Sequence, residues 1–294
     1  MKFIDYNSPE KDIIKEKFNS IPYMDVNISN IVEAYIYENV SKVNVNEYGY
    51  GLREEYTERY GKLEGEAKGW YDNGKLSFQG YFKDGKHHGK YTRWNEYGKL
   101  SQKIYCKNGK IEGKVKNYRR DGSLFSIMWY KKGKMEGNSK KFWNNTKVWT
   151  NAYYKDGKLE GEYKEFLHKG GLSKICYYKK GELEGEAKQW WSNGQLMFQC
   201  YYKEGEREGE FKEWHSNGKL HHQLYYKEGK LEGEAKTWWS KGILCVQSHY
   251  KNGNKHGEYK TWSIEGELHE HKLYEDGKII CDLQRTLGPL LLNP

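Results

Sequence analysis

The sequence predicts an all-β protein, an elongated single-layer antiparallel meander of about ten hairpins, and three observations carry that expectation. Glycine recurs every 24 residues, at Gly61, Gly85, Gly109, Gly133, Gly157, Gly181, Gly205, Gly229, Gly253 and Gly277. A second series with the same interval runs from Gly74 to Gly266, with Thr146 at one of its positions. The two series lie alternately 13 and 11 residues apart, too close for a helical repeat and suited to strands joined by tight turns. Aromatic residues supply 16% of a chain that is 36% hydrophobic and 31% charged, so aliphatic core material is scarce. With a mean hydropathy of -1.08, this chain is too polar for a membrane span and too aromatic for disorder.

Residues 1–45 are expected to cap the array. Ser8-Pro9 followed by EKDIIKEKF reads as a capped helix start, with Ile13, Ile14 and Phe18 free to pack. The stretch 22–45 fits either strand or short helix. The array itself spans 46–281, and at about 4.8 Å per strand each repeat advances ~9.6 Å, which gives a length on the order of 95 Å. Residues 282–294 form an apolar tail with Leu283, Leu287 and Leu290 to Leu292. An open meander has two raw edges, so both ends are expected to act as caps, and the tail offers a homodimer contact.

Turn chemistry sets the faces. The residue before the second glycine varies (Asn73, Tyr97, Asp121, Lys169), so only the glycine position is restricted. A three-residue loop, a type I turn closed by a glycine bulge, fits that restriction and pairs Trp70 with Leu76. The Trp, Leu and Tyr columns (Trp190, Leu196 and Tyr202 in one unit) then share a face. A two-residue loop would send the Trp column to the opposite side. The aromatic column includes Trp70, Trp94, Trp190, Trp214, Trp238 and Trp262. It reads as a cross-strand packing ladder or as an exposed surface for a partner.

The net charge of +9 comes from 50 basic against 41 acidic residues. One lysine column contains Lys155, Lys179, Lys203 and Lys227; another contains Lys68, Lys164, Lys188, Lys212, Lys236 and Lys260. Interleaved with aromatics, such columns could follow nucleic acid or acidic lipid head groups. Glu66, Glu162, Glu186, Glu210, Glu234 and Glu258, two residues before the second column and on its side of the strand, neutralise it instead.

The pattern of G-x-x-x-G, an aromatic, a turn, N-G-K-L and Y-Y-K resembles the MORN repeat. It is most similar to the variant 24-residue form of YwqK-type antitoxin-like proteins and of large-DNA-virus proteins. The likeness covers about 46–281 and departs at Thr146 and at Cys281, where a glycine is replaced. It implies a meander of hairpins, a twisted sheet or half-pipe, acting as a scaffold for a protein partner. It implies no reaction, and a viral source would place the chain in the host cytoplasm.

Chemistry of other kinds finds little footing. The opening MKFIDYNSPEKD holds no secretory-length apolar run, so a reduced, cytoplasmic protein is expected. Cys176 and Cys200 occupy one column, ~9.6 Å apart, beyond disulfide reach. His221, Cys245 and His269 also share a column and cannot meet at one metal for the same reason; His221–His222 and His269–His271 are the least unfavourable pairs. No phosphate loop, nucleophile elbow or HExxH motif occurs. No cofactor, metal or enzyme activity is expected, and a catalytic site would require residues that break the repeat.

Overall fold

The computed structural model describes residues 40–44 and 53–284, residue 145 excepted. The expected helix at Ser8–Phe18 and the tail beyond residue 284 lie outside them. Contacts divide the chain into two units, 1–135 and 136–294. In the first, Val40–Asn44 pairs with Arg53–Arg59, which pairs with Lys62–Trp70, and the antiparallel meander continues to Leu124–Lys131 and Lys134–Met135. Strand pairing therefore begins inside the segment expected to cap the array. The second unit runs in the same manner from Gly137–Phe142 to Lys278–Asp282.

Each repeat uses two different turns. At the first glycine, Lys203 pairs with Glu206 around Glu204 and Gly205, whose φ values of 52° and 84° define a type I′ turn. Left-handed backbone costs an L-residue about 1–2 kcal/mol, yet lysine, glutamate and tyrosine also stand there. A carboxylate from the preceding turn offsets the cost. The Glu204 amide donates to Glu184 Oε2 at 2.9 Å, and Lys180 to Glu160 and Asp84 to Glu64 do the same. The Glu of each LEG triplet is thus a cap for the turn 20 residues on.

The second turn is the expected three-residue loop. Trp191 N–H donates to the Gln195 carbonyl at 2.8 Å, Gly194 N–H to the Trp191 carbonyl at 2.9 Å, and Trp190 pairs with Leu196. Where Thr146 replaces glycine, Asn144 Oδ1 accepts from the Thr146 and Lys147 amides, and the closing bond from Trp143 to Lys147 persists.

The expected sharing of one face by three columns is overturned. Gln189 pairs with Phe198 while Trp190 pairs with Leu196, so Met197 is an extra residue in a bulge. Past that bulge the parity reverses: Tyr202 pairs with Gly185, in step with Ala187 and Cys200, and lies opposite the Trp–Leu pair.

The Tyr face is the apolar one. In the second unit Cys176, Ala187, Cys200 and Phe211 are buried, with Tyr163, Tyr178, Leu183, Phe198, Tyr202, Leu224 and Tyr226 packed around them. Large and small residues alternate from repeat to repeat along one column, Tyr163, Ala187, Phe211, Ala235 and Tyr259. Each ring therefore fills the room its small neighbours leave. In the first unit a Cβ on Gly80 would run into the Tyr91 ring, which is why the chain keeps glycine there. Neighbouring loops are tied by side chains on the same parity, as where Trp191 Nε1 donates to the Trp214 carbonyl at 3.0 Å.

The second glycine of G-x-x-x-G absorbs an irregularity. Leu183 pairs with Tyr178 and Lys188 with Ile175, so between these pairs four residues on one strand oppose two on the other, with Gly185 at φ 90°. Where Cys281 stands instead, the irregularity shrinks: Ile279 pairs with Tyr274 and Cys281 with Leu273. A side chain at that position permits only the smaller bulge.

Candidate functional site

The opposite face is polar in each unit. Along Gly185–Trp190 it carries Glu186, Lys188 and Trp190; along Leu196–Lys203 it carries Leu196, Gln199, Tyr201 and Lys203. Lys188 Nζ lies 2.8 Å from Glu186 Oε2, and Gln199 Nε2 donates to Glu186 Oε1 at 2.7 Å. The same triad recurs as Lys212, Glu210 and Gln223, and as Lys236, Glu234 and Gln247. Ion pairs also join Lys68 to Glu66, Lys164 to Glu162 and Lys260 to Glu258, so all six expected glutamates meet their lysines. The lysine ammonium holds the Glu66, Glu210, Glu234 and Glu258 carboxyls below the ordinary carboxylate value, and the Lys68 ammonium is raised by its bond to Glu66.

Between these triads stand exposed aromatics. Tyr81, Tyr105 and Trp129 are 49%, 47% and 41% exposed in the first unit. In the second, Tyr153, Tyr177, Tyr201 and Tyr225 are 41%, 38%, 54% and 48% exposed. Each pairs directly with the residue in the glutamate column, as Tyr201 does with Glu186. A shallow depression of about 280 Å³ lies beside Tyr225, lined also by Glu210, Gln223, Gly233, Glu234 and Lys236.

The residues singled out from sequence lie along the margins of this same face. Trp70, Trp94, Trp190, Trp214, Trp238 and Trp262 are half-buried against the Leu column beside the loops. Lys155, Lys179, Lys203 and Lys227 are exposed at strand ends, next to the type I′ turns, where Lys179 and Lys203 face Glu182 and Glu206. The exposed Tyr column was legible in the YY doublets at 153–154, 177–178, 201–202 and 225–226. Adjacent strand residues point to opposite faces, so one member of each doublet had to be outside.

Beyond its own triad of Glu66, Lys68 and Gln79, the first unit departs from this pattern. Lys90 and Lys114 replace glutamate, Lys114 Nζ sits 4.9 Å from the Trp129 ring centre, and Lys103 pairs directly with Lys116. Like charges placed opposite each other destabilise a sheet, so this cluster costs the fold rather than supporting it.

Cys106, Cys176, Cys200 and Cys245 are free thiols, and burial raises Cys106, Cys176 and Cys200 above the ordinary thiol value. Among the described residues no helix is long and apolar enough to cross a membrane.

A family model described as the MORN repeat variant matches residues 63–84, 183–204, 207–228 and 231–252, so the resemblance read from the sequence holds at these four repeats. No curated protein matches the chain. Among solved structures, the crystal structure of TarM is 10% identical over 65% of this chain and 25% of its own, with a TM-score of 0.15. The crystal structure of TcdB2-TccC3 is 10% identical over 79% of this chain and 17% of its own, with a TM-score of 0.17. The chain thus spans a quarter or less of either, and at such scores neither likeness bears on fold or function.

Proposed function

We propose that the chain is a non-enzymatic repeat scaffold that engages a protein partner through the aromatic stripe of its polar face, in a cytoplasmic setting. The observation that carries this reading is the recurrence of a large exposed ring in seven successive repeats; beside Tyr81, Tyr177, Tyr201 and Tyr225 a Glu–Lys ion pair already satisfies the polar groups. Exposed tyrosine amid paired charges is suited to recognition, because a rigid amphipathic ring gives contact area at small entropic cost. The test is a triple variant, Tyr177→Ser, Tyr201→Ser and Tyr225→Ser. It should keep the unfolding midpoint of the native chain while losing the protein that the native chain captures. Retention of that protein would remove the stripe from the interface.

The first unit supports a second reading, that its polar face takes an anionic ligand. Lys90, Lys103, Lys114 and Lys116, beside Tyr105 and Trp129, supply charge and stacking surface without the glutamates found in other repeats. Lys103→Glu would face Lys116 with an opposite charge. The variant should be more stable by a few tenths of a kcal/mol, about the worth of a cross-strand charge pair, and bind single-stranded DNA or acidic vesicles more weakly than the native chain. Unchanged binding would refute this second reading.

A further inference from the structure

One hairpin of the second unit carries a set of side chains found in no other repeat. The bulge that follows each loop places two consecutive residues on the same side of the strand. In this hairpin those residues are His221 and His222, with ring centres 3.8 Å apart. Directly opposite, Glu213 pairs with His222 in the sheet register. One donor atom from each of Glu213, His221 and His222 lies within 4.8 Å of the others, and all three side chains are half-buried.

We propose that Glu213, His221 and His222 form a binding site for a divalent transition metal of the zinc class. Two imidazoles and one carboxylate are a donor set suited to Zn²⁺, and three protein ligands leave a position open for water or for a group from a partner. The separation that forbids ligands drawn from one column does not apply, because all three come from a single hairpin. His222 Nδ1 lies 2.9 Å from Thr237 Oγ1. A proton on Nδ1 donated to that hydroxyl leaves Nε2 with its lone pair, the arrangement that orients metal-binding histidines elsewhere. Burial, and for His221 also the neighbouring imidazoles, push both histidines below the ordinary value. His215 stacks on His221 at 4.2 Å, but its Nε2 is engaged by the Trp238 carbonyl at 3.0 Å and serves packing.

The preceding repeat supplies the control, since Gln189, Met197 and Phe198 occupy the same three positions in the same bulge. The variant Glu213→Gln, His221→Met, His222→Phe therefore installs residues this backbone already accommodates and leaves the other eight of the ten histidines in place. Zn²⁺ titration against a chromophoric chelator should show one tight equivalent for the native chain and none for the variant, with Co²⁺ giving visible imidazole-ligated bands only in the native chain. Saturating Zn²⁺ should raise the unfolding midpoint of the native chain alone. Should the triple variant fold poorly, Thr237→Val decides the matter: loss of the orienting hydroxyl should weaken binding roughly 10-fold or more. Equal binding by native chain and variants, or no stoichiometric binding by the native chain, would overturn the site.

Discussion

Tyr201 and Tyr202 are chemically identical neighbours on one strand, and they face different worlds. Tyr201 is 54% exposed on the polar face beside Glu186 and Lys188, whereas Tyr202 packs over Cys200 on the apolar side. The pair summarises the two faces of the sheet. The apolar face holds the repeats together by fitting rings into the gaps left by Ala and Cys. On the polar face, ion pairs that are cheap to break keep a row of rings in water. Residue type therefore does not tell a structural tyrosine from one available to a partner; parity relative to the bulge does.

The comparison is most severely tested by opening a hole on the apolar face. Phe211 is 6% exposed and lies between Ala187 and Ala235 in the alternating column, both too small to fill the space its ring occupies. Phe211→Ala should destabilise the second unit by about 3–5 kcal/mol, read as a lower denaturant midpoint at unchanged slope. A loss below about 1 kcal/mol would mean that the face is loosely packed.

At the turn edge the expected effect is smaller. Glu184→Ala removes the carboxylate that accepts the Glu204 amide and leaves a left-handed residue without its cap, at a cost of about 1 kcal/mol. Amide exchange at Glu204 should quicken while exchange at Ala187 holds.

The polar face should respond least. Lys236→Met breaks the 2.7 Å pair with Glu234 and should shift stability by no more than about 0.5 kcal/mol near neutrality. Lys236 holds the folded carboxyl of Glu234 below its unfolded value, so the contribution is present above the unfolded carboxylate pKa. It disappears as pH falls through the folded one. Midpoints of native and Lys236→Met chains should therefore converge on acidification, and divergence would assign the lysine a different role.

Much of this architecture was legible in the residues. The period, the three-residue loop, the pairing of Trp70 with Leu76 and the Glu66–Lys68 type of ion pair all follow from spacing and strand parity. The bulge at Met197 and His221 was not legible, because a residue inserted in every repeat is already part of the constant period and leaves no irregular interval. Counting parity across it sent Tyr202 to the wrong face. The core column escaped notice for a related reason: Tyr163, Ala187 and Phe211 look variable, and the information lies in their alternation. The glutamate of LEG reads as a residue between two glycines until its partner, an amide 20 residues later, is placed beside it.

The most direct measurement sets the two neighbours against each other. In otherwise native chains, Tyr202→Ser should lower the unfolding free energy by about 2–3 kcal/mol, the scale of losing a largely buried ring. Tyr201→Ser should leave it within about 0.5 kcal/mol, as for a surface substitution. Equal losses from the two changes, or a larger loss from Tyr201→Ser, would contradict the assignment of the faces.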